Sequence, residues 1–196
     1  MNLSTAVLAT LLSQCAPDVS PVTGMALIQT ESGGNPYVVA NVSDGVSKAF
    51  DDEKAAVAYV NGLSRQGKTY SAGLMQIYSQ NFSVYKVDNS TIFDPCTNIK
   101  VGAQILTENY ESQKEGDVQT NLRKSLSKYY SGNETRGFKK EKQFDNTSYV
   151  ERVEKKAYAV PALKPSGLND EAEDNINSNV KKTETQTWDV FGDFNS

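Results

Sequence analysis

VTGMALIQTESGGNP, residues 22–36, is the stretch on which the reading of this chain turns. Met25, Ala26, Leu27 and Ile28 follow one another without a polar break, the pattern of a short helix buried all round. Ser32-Gly33-Gly34-Asn35-Pro36 then places a turn former at every position, so the helix stops at Glu31. A carboxylate at the end of a buried helix is partly desolvated. Desolvation penalises its charged form and raises its pKa toward the range a general acid needs. Ser32 stands beside it as a hydrogen-bonding partner. Taken alone, a glutamate near a helix end is commonplace, so the rest of the chain has to decide.

Toward the N-terminus, Leu3, Val7, Leu8, Leu11 and Leu12 recur near helical spacing, and Pro17 ends the pattern. This run lacks a basic leading region and is too short to span a bilayer. We read it as a helix of the domain, with any export signal already removed, and expect no stable membrane insertion.

Toward the C-terminus, residues 37–50 read as irregular or short β structure. Asp51 is placed to cap a helix carrying Ala55, Ala56, Val57, Tyr59, Val60 and Leu63. Tyr70 to Ile77 reads as extended or bent around Gly73, followed by a loop and helix near Gln80 to Tyr85. Asp94-Pro95 starts a further helix. Leu122 to Tyr130 forms another, broken at Gly132 and Asn133, and a last helix runs from about Ser148 to Ala157 with Tyr149, Val150 and Val153 inward. Residues 161–196 are polar until Trp188, Val190, Phe191 and Phe194, too poor in apolar surface to offset their ordering entropy, so we expect a domain over 1–160 and a disordered tail over 161–196. The terminal WDVFGDF is either a short partner-binding motif or a solvated end.

Composition narrows the chemistry. At 196 residues and 38% apolar content there is room for one compact domain. A net charge of -4 provides no concentrated basic surface, which argues against a nucleic-acid partner. Histidine is absent, which removes the usual base of Ser/His and Cys/His catalysis and the commonest transition-metal ligand. Acid–base work therefore falls to carboxylates or tyrosines, and no metal or organic cofactor is required. Cys15 and Cys96 are too far apart for a CxxC motif. They read as one disulfide of an oxidising, extracytoplasmic compartment, or as two buried thiols.

Three further segments accompany Glu31. In Gly73-Leu74-Met75-Gln76-Ile77 the glycine permits close backbone approach, and Gln76 offers a donor and an acceptor to a sugar; an ordinary buried strand is the plainer alternative. Asp94-Pro95-Cys96-Thr97-Asn98-Ile99 reads as a helix start with Asn98 tying down a loop. Tyr129-Tyr130-Ser131-Gly132-Asn133 places phenols at a helix end, able to bond the acid, to pack on a sugar face or simply to fill the core.

In this order, ES, GLMQI, DPC.NI..G, Y.SGN and a late YV.RV (Tyr149, Val150, Arg152, Val153), the chain resembles the SLT lytic transglycosylases over roughly residues 1–157. It is most similar to the transglycosylase subunit of type IV secretion and conjugation systems. The resemblance implies a mostly helical α+β fold of the goose-type lysozyme/SLT kind, with a small β element between Tyr37 and Ile77 walling the cleft. It implies Glu31 as catalytic residue, and Ser32, Gly73, Met75, Gln76, Tyr129, Ser131, Gly132, Asn133 and Tyr149 as the substrate-contacting set. It further implies peptidoglycan strands as substrate, secretion-system components as partners and a periplasmic setting. Tyr130 and Tyr78 stand where asparagine is common in the family.

The implied reaction cleaves a β-1,4 bond with one glutamate as acid and then base, leaving an anhydromuramoyl end. That needs no second carboxylate, unlike the usual glycosidase pair. Asp44, Asp51, Asp52 and Asp94 read instead as loop or cap residues. A hydrolytic lysozyme and a non-catalytic glycan-binding scaffold are the alternatives.

Overall fold

The computed structural model describes residues 2–159; the expected tail and its WDVFGDF end lie outside them. Helix α1 spans Thr5–Cys15 and opens on Ser4, whose hydroxyl accepts from the Val7 N–H. Leu8 and Leu12, one turn apart, are its buried residues. Val7 is 46% exposed, so the inward seam is narrower than the apolar spacing predicts. Helix α2, Pro21–Glu31, starts with a proline at its first turn and buries every residue from Thr23 to Ile28. Its apolar run makes it the central rod of the domain. Each large aliphatic buried here contributes about 1.5–3 kcal/mol.

A four-stranded antiparallel sheet follows, in the order β2-β1-β3-β4, with β1 at Val38–Asn41, β2 at Val46–Ala49, β3 at Tyr70–Ala72 and β4 at Ile77–Tyr78. Val39 pairs with both Lys48 and Ala72, and Ala72 pairs with Ile77. The β element falls where it was expected. Between β2 and β3 runs α3, Glu53–Arg65, capped by Asp52 rather than Asp51, because the Asp52 carboxylate reaches the Ala55 N–H at 2.8 Å. The helix expected over Gln80 to Tyr85 is replaced by a 3-10 turn at Ser79–Asn81 and a chain of turns. The segment closes on Lys86 at φ 55°, a left-handed position no helix passes through.

Helix α4, Pro95–Glu111, is capped by Asp94, and α5, Val118–Ser131, by Asp117; α5 begins four residues earlier than its apolar pattern suggests and ends on Gly132 at φ 68°. Helix α6, Tyr149–Ala157, opens with a capping box of Ser148 and Glu151. It packs against α2, while α4 packs against α5 and α1. Cys15 and Cys96 are joined in a disulfide that ties the end of α1 to the start of α4. Among the described residues no helix is long and apolar enough to cross a membrane.

Candidate active site

Glu31 is the last residue of α2, delivered by a rod that is buried through Ile28 and released by the turn behind it. Gly33 and Gly34 take φ of 62° and 83°, which lets the chain reverse at once. Ser32 does not hold the carboxylate. Its hydroxyl lies 2.8 Å from the Leu74 carbonyl and 3.2 Å from that of Ile28, and it accepts from the Gly34 N–H. It thereby stitches the end of α2 to the Gly73–Gln76 turn.

That turn joins β3 to β4 and is fastened from behind by Asn98. The Asn98 amide donates to the Ala72 and Ile92 carbonyls, and its oxygen accepts the Met75 N–H at 2.7 Å. Gly73 sits at φ 85°, and a Cβ there would lie 2.1 Å from the Asn98 Nδ2. Met75 is buried against Gly102 of α4, where an added Cβ would meet its sulfur at 2.5 Å. Gly73 and Met75 therefore build the wall from its protein side. Gln76 reaches the cleft. Its amide donates to the Val38 and Gly73 carbonyls, so of the donor and acceptor read from sequence the acceptor is the atom left for a ligand.

The opposite wall comes from α5. Tyr129 donates to the Met75 carbonyl at 2.7 Å, locking α5 to the turn. Ser131 and Gly132 line the cleft beside it. Asn133 does not; its side-chain oxygen caps the next turn by accepting from the Thr135 and Arg136 N–H groups. Tyr149, on α6, donates its hydroxyl to Glu31 Oε1. The phenol bonded to the acid is thus Tyr149, and the helix-end tyrosines serve the wall.

Glu31, Gln76, Tyr129, Ser131 and Gly132 line a cavity of about 780 Å³ in which Glu31 is the one carboxylate among the described lining residues, while Tyr149 is buried behind the wall instead of lining it. Burial pushes the Glu31 pKa up to about 7, against opposing pulls from the Tyr149 hydroxyl and the Arg152 charge. The side chain keeps a face toward the cavity while its carboxylate is desolvated. Near neutral pH it is present in both protonation states. Burial, and then the neighbouring Glu31, hold the phenols of Tyr129 and Tyr149 well above their usual range, so both are hydrogen-bond donors. A second, shallower depression of about 870 Å³ is lined by Asn61, Ser64, Lys68 and Asn89. Its carboxylate, Asp88, is held below the usual range by bonds from Ser90 and Thr91. It therefore offers no acid for neutral pH.

The sequence reading offered Tyr130 as a helix-end phenol but left it out of the substrate-contacting set, and it missed Arg152 as the charge acting on the acid. Tyr130 stacks on Tyr149 with ring centroids 4.5 Å apart. The available signal for Arg152 was its place three residues beyond Tyr149, which puts both on one helix face.

The transglycosylase SLT domain matches residues 12–150, a span that holds Glu31, the Gly73–Gln76 turn, Tyr129 and Tyr149. Among curated relatives, the type IV secretion system protein virB1 of Brucella abortus biovar 1 (strain 9-941) is 36% identical over 146 residues, 73% of this chain and 60% of that protein. Protein virB1 of Agrobacterium fabrum is 32% identical over 181 residues, 91% of this chain and 68% of its own length. Protein virB1 of Rhizobium radiobacter is 29% identical over 194 residues, 98% of this chain and 75% of its own length. The match spans less than two thirds of the Brucella protein. No solved structure is a significant match. A buried-helix glutamate, a turn pinned by Asn98 and a tyrosine donor thus lie together inside one family match, and the chain belongs to the transglycosylase SLT family.

Proposed function

We propose that the protein is a lytic transglycosylase that cleaves the β-1,4 bond between N-acetylmuramic acid and N-acetylglucosamine in peptidoglycan, and that it opens the wall locally for a type IV secretion or conjugation apparatus. The observation that carries this reading is a single carboxylate, Glu31, poised at a pKa of about 7 in an open cleft with a phenol hydroxyl on it. Protonated Glu31 gives its proton to the leaving glucosamine O4 as the bond to muramoyl C1 breaks. The carboxylate then takes the proton of the muramoyl C6 hydroxyl, whose oxygen closes on C1. The proton returns to Glu31, and no second carboxylate takes part. Gln76 offers its side-chain oxygen to a sugar N–H or hydroxyl. Membership of the SLT family supports the chemistry, and similarity to a type IV secretion system protein of Brucella supports the secretion setting. The Cys15–Cys96 disulfide supports an oxidising compartment such as the periplasm.

The test is mass analysis of the products released from purified sacculi by the wild-type protein and by Glu31→Gln. Anhydromuramoyl ends from wild type alone are expected. Reducing muramoyl ends would make the protein a lysozyme instead, and binding without release by either protein would make it a glycan-binding scaffold.

A further inference from the structure

Tyr130 departs from the asparagine common in the family, and its surroundings show what the larger side chain does. Its ring lies nearly parallel to that of Tyr149, with planes 13° apart. Its hydroxyl donates to Glu141 Oε1 at 2.7 Å. The other oxygen of Glu141 lies 2.9 Å from Arg152 Nη2, an ion pair with both side chains under one fifth exposed. Arg152 in turn sits 4.0 Å from the Phe144 ring centroid and 5.7 Å from that of Tyr149, and donates to the Thr147 carbonyl. The Glu141 N–H closes the circuit by donating to the same carbonyl. Three chain segments, the end of α5, the 141–147 loop and the first turn of α6, are therefore sewn together around one phenol. That phenol's hydroxyl reaches Glu31.

We infer that Tyr130, Glu141 and Arg152 are positioning residues, a brace that fixes the Tyr149 ring and holds its hydroxyl on Glu31. None of the three needs to touch the bond being cleaved. A stacked ring resists tilting on one side, and the guanidinium, anchored by Glu141 and Thr147, lies over the Tyr149 ring at 5.7 Å from its centroid and adds a cation–π attraction. The groups that act on Glu31 itself are Tyr149 and Arg152 from α6, with Tyr129 facing it from α5. Tyr78, Tyr85, Tyr130, Lys128 and Arg136 complete the titratable set among the described residues of the cavity wall. Glu141 governs Arg152: it both locates the cation and offsets its charge.

The idea rests on the proposed reading of Glu31 as the acid, but one of its tests does not require turnover. In full-length protein labelled at the glutamate carboxyl carbon, the Glu31 titration is followed by NMR, with Glu31→Gln identifying the signal. Arg152→Met is expected to move the midpoint up, by removing a favourable positive charge, and Glu141→Gln to move it down, by leaving that charge unopposed. Tyr130→Phe keeps the stack and loses only the bond to Glu141. It is expected to lower kcat on soluble peptidoglycan strands by roughly tenfold with KM little changed, the size of one charge-assisted hydrogen bond, and Tyr130→Ala by more. Unchanged Glu31 midpoints in both charge variants, with lowered thermal stability alone, would overturn the brace. Opposite midpoint shifts in a protein that cleaves nothing would sustain the brace and sink the cleavage reading.

Discussion

At the residue scale, Glu31 carries a cost as well as a role. Its folded pKa of about 7 lies above the ordinary value of 4.5 that it has in an exposed chain. The folded state therefore binds the proton more tightly than the unfolded state, and stability is lost as pH rises from about 4.5 through 7. At 1.36 kcal/mol per unit, the loss approaches about 3 kcal/mol at alkaline pH as an upper bound. Glu31→Gln removes the titration, so the variant is expected to be the more stable protein at pH 8 and to lose that advantage at pH 4. Urea unfolding at the two pH values measures it, and a constant difference would contradict the buried-acid account. The position of Glu31 was legible because every signal for it is local: an apolar run, then two glycines. Its partner was not. Helical spacing says that Tyr149 points inward, but nothing local to residue 149 says that it points at residue 31.

At the scale of elements, the decisive contact is between Asn98 of α4 and the turn of the sheet. One side chain satisfies the Met75 N–H and the Ala72 and Ile92 carbonyls. Asn98→Ala leaves three buried backbone groups unpaired. At about 1–3 kcal/mol each, the expected loss is at least about 3 kcal/mol in urea unfolding. A change below about 1 kcal/mol, the mean effect of an ordinary substitution, would mean that water replaces the amide. The sequence reading placed Asn98 correctly as a loop tie because Asp94-Pro95 marks the helix start unmistakably. It overextended the region near Gln80, where polar and apolar residues allow a helix but the left-handed turn at Lys86 interrupts it. Ser32 was misassigned for a related reason. A hydroxyl next to a carboxylate has several acceptors within reach, and the choice of the Leu74 carbonyl depends on a turn more than forty residues away.

At the scale of the whole molecule, the disulfide between Cys15 and Cys96 closes a loop with a sequence separation of 81. The chain-entropy estimate for a loop of that length is roughly 4–5 kcal/mol. The double substitution Cys15→Ser, Cys96→Ser is expected to lower the thermal midpoint by roughly 8–20 °C at this chain length, on the order of 2–4 °C per kcal/mol. Calorimetry with and without reductant checks the same point on the wild type, which should fall to match the variant. The SLT fold class, its small sheet and its helical frame were legible from periodicity and turn residues together with the family resemblance. Which helix packs on which was not, since α2 meets α6 across most of the chain.

That last pairing bears on when the site comes into being. The hydrogen bond from Tyr149 to Glu31 joins residues 118 positions apart, so it is among the last contacts a growing or translocating chain can make. A fragment ending anywhere before α6 carries the acid but neither its donor nor the cation behind it. In such a fragment the end of α2 lacks the helix that packs on it, and Glu31 lacks the hydroxyl that donates to it. Under the proposed reading, cleavage of the wall belongs to the fold with α6 in place and is absent from any length that stops short of it.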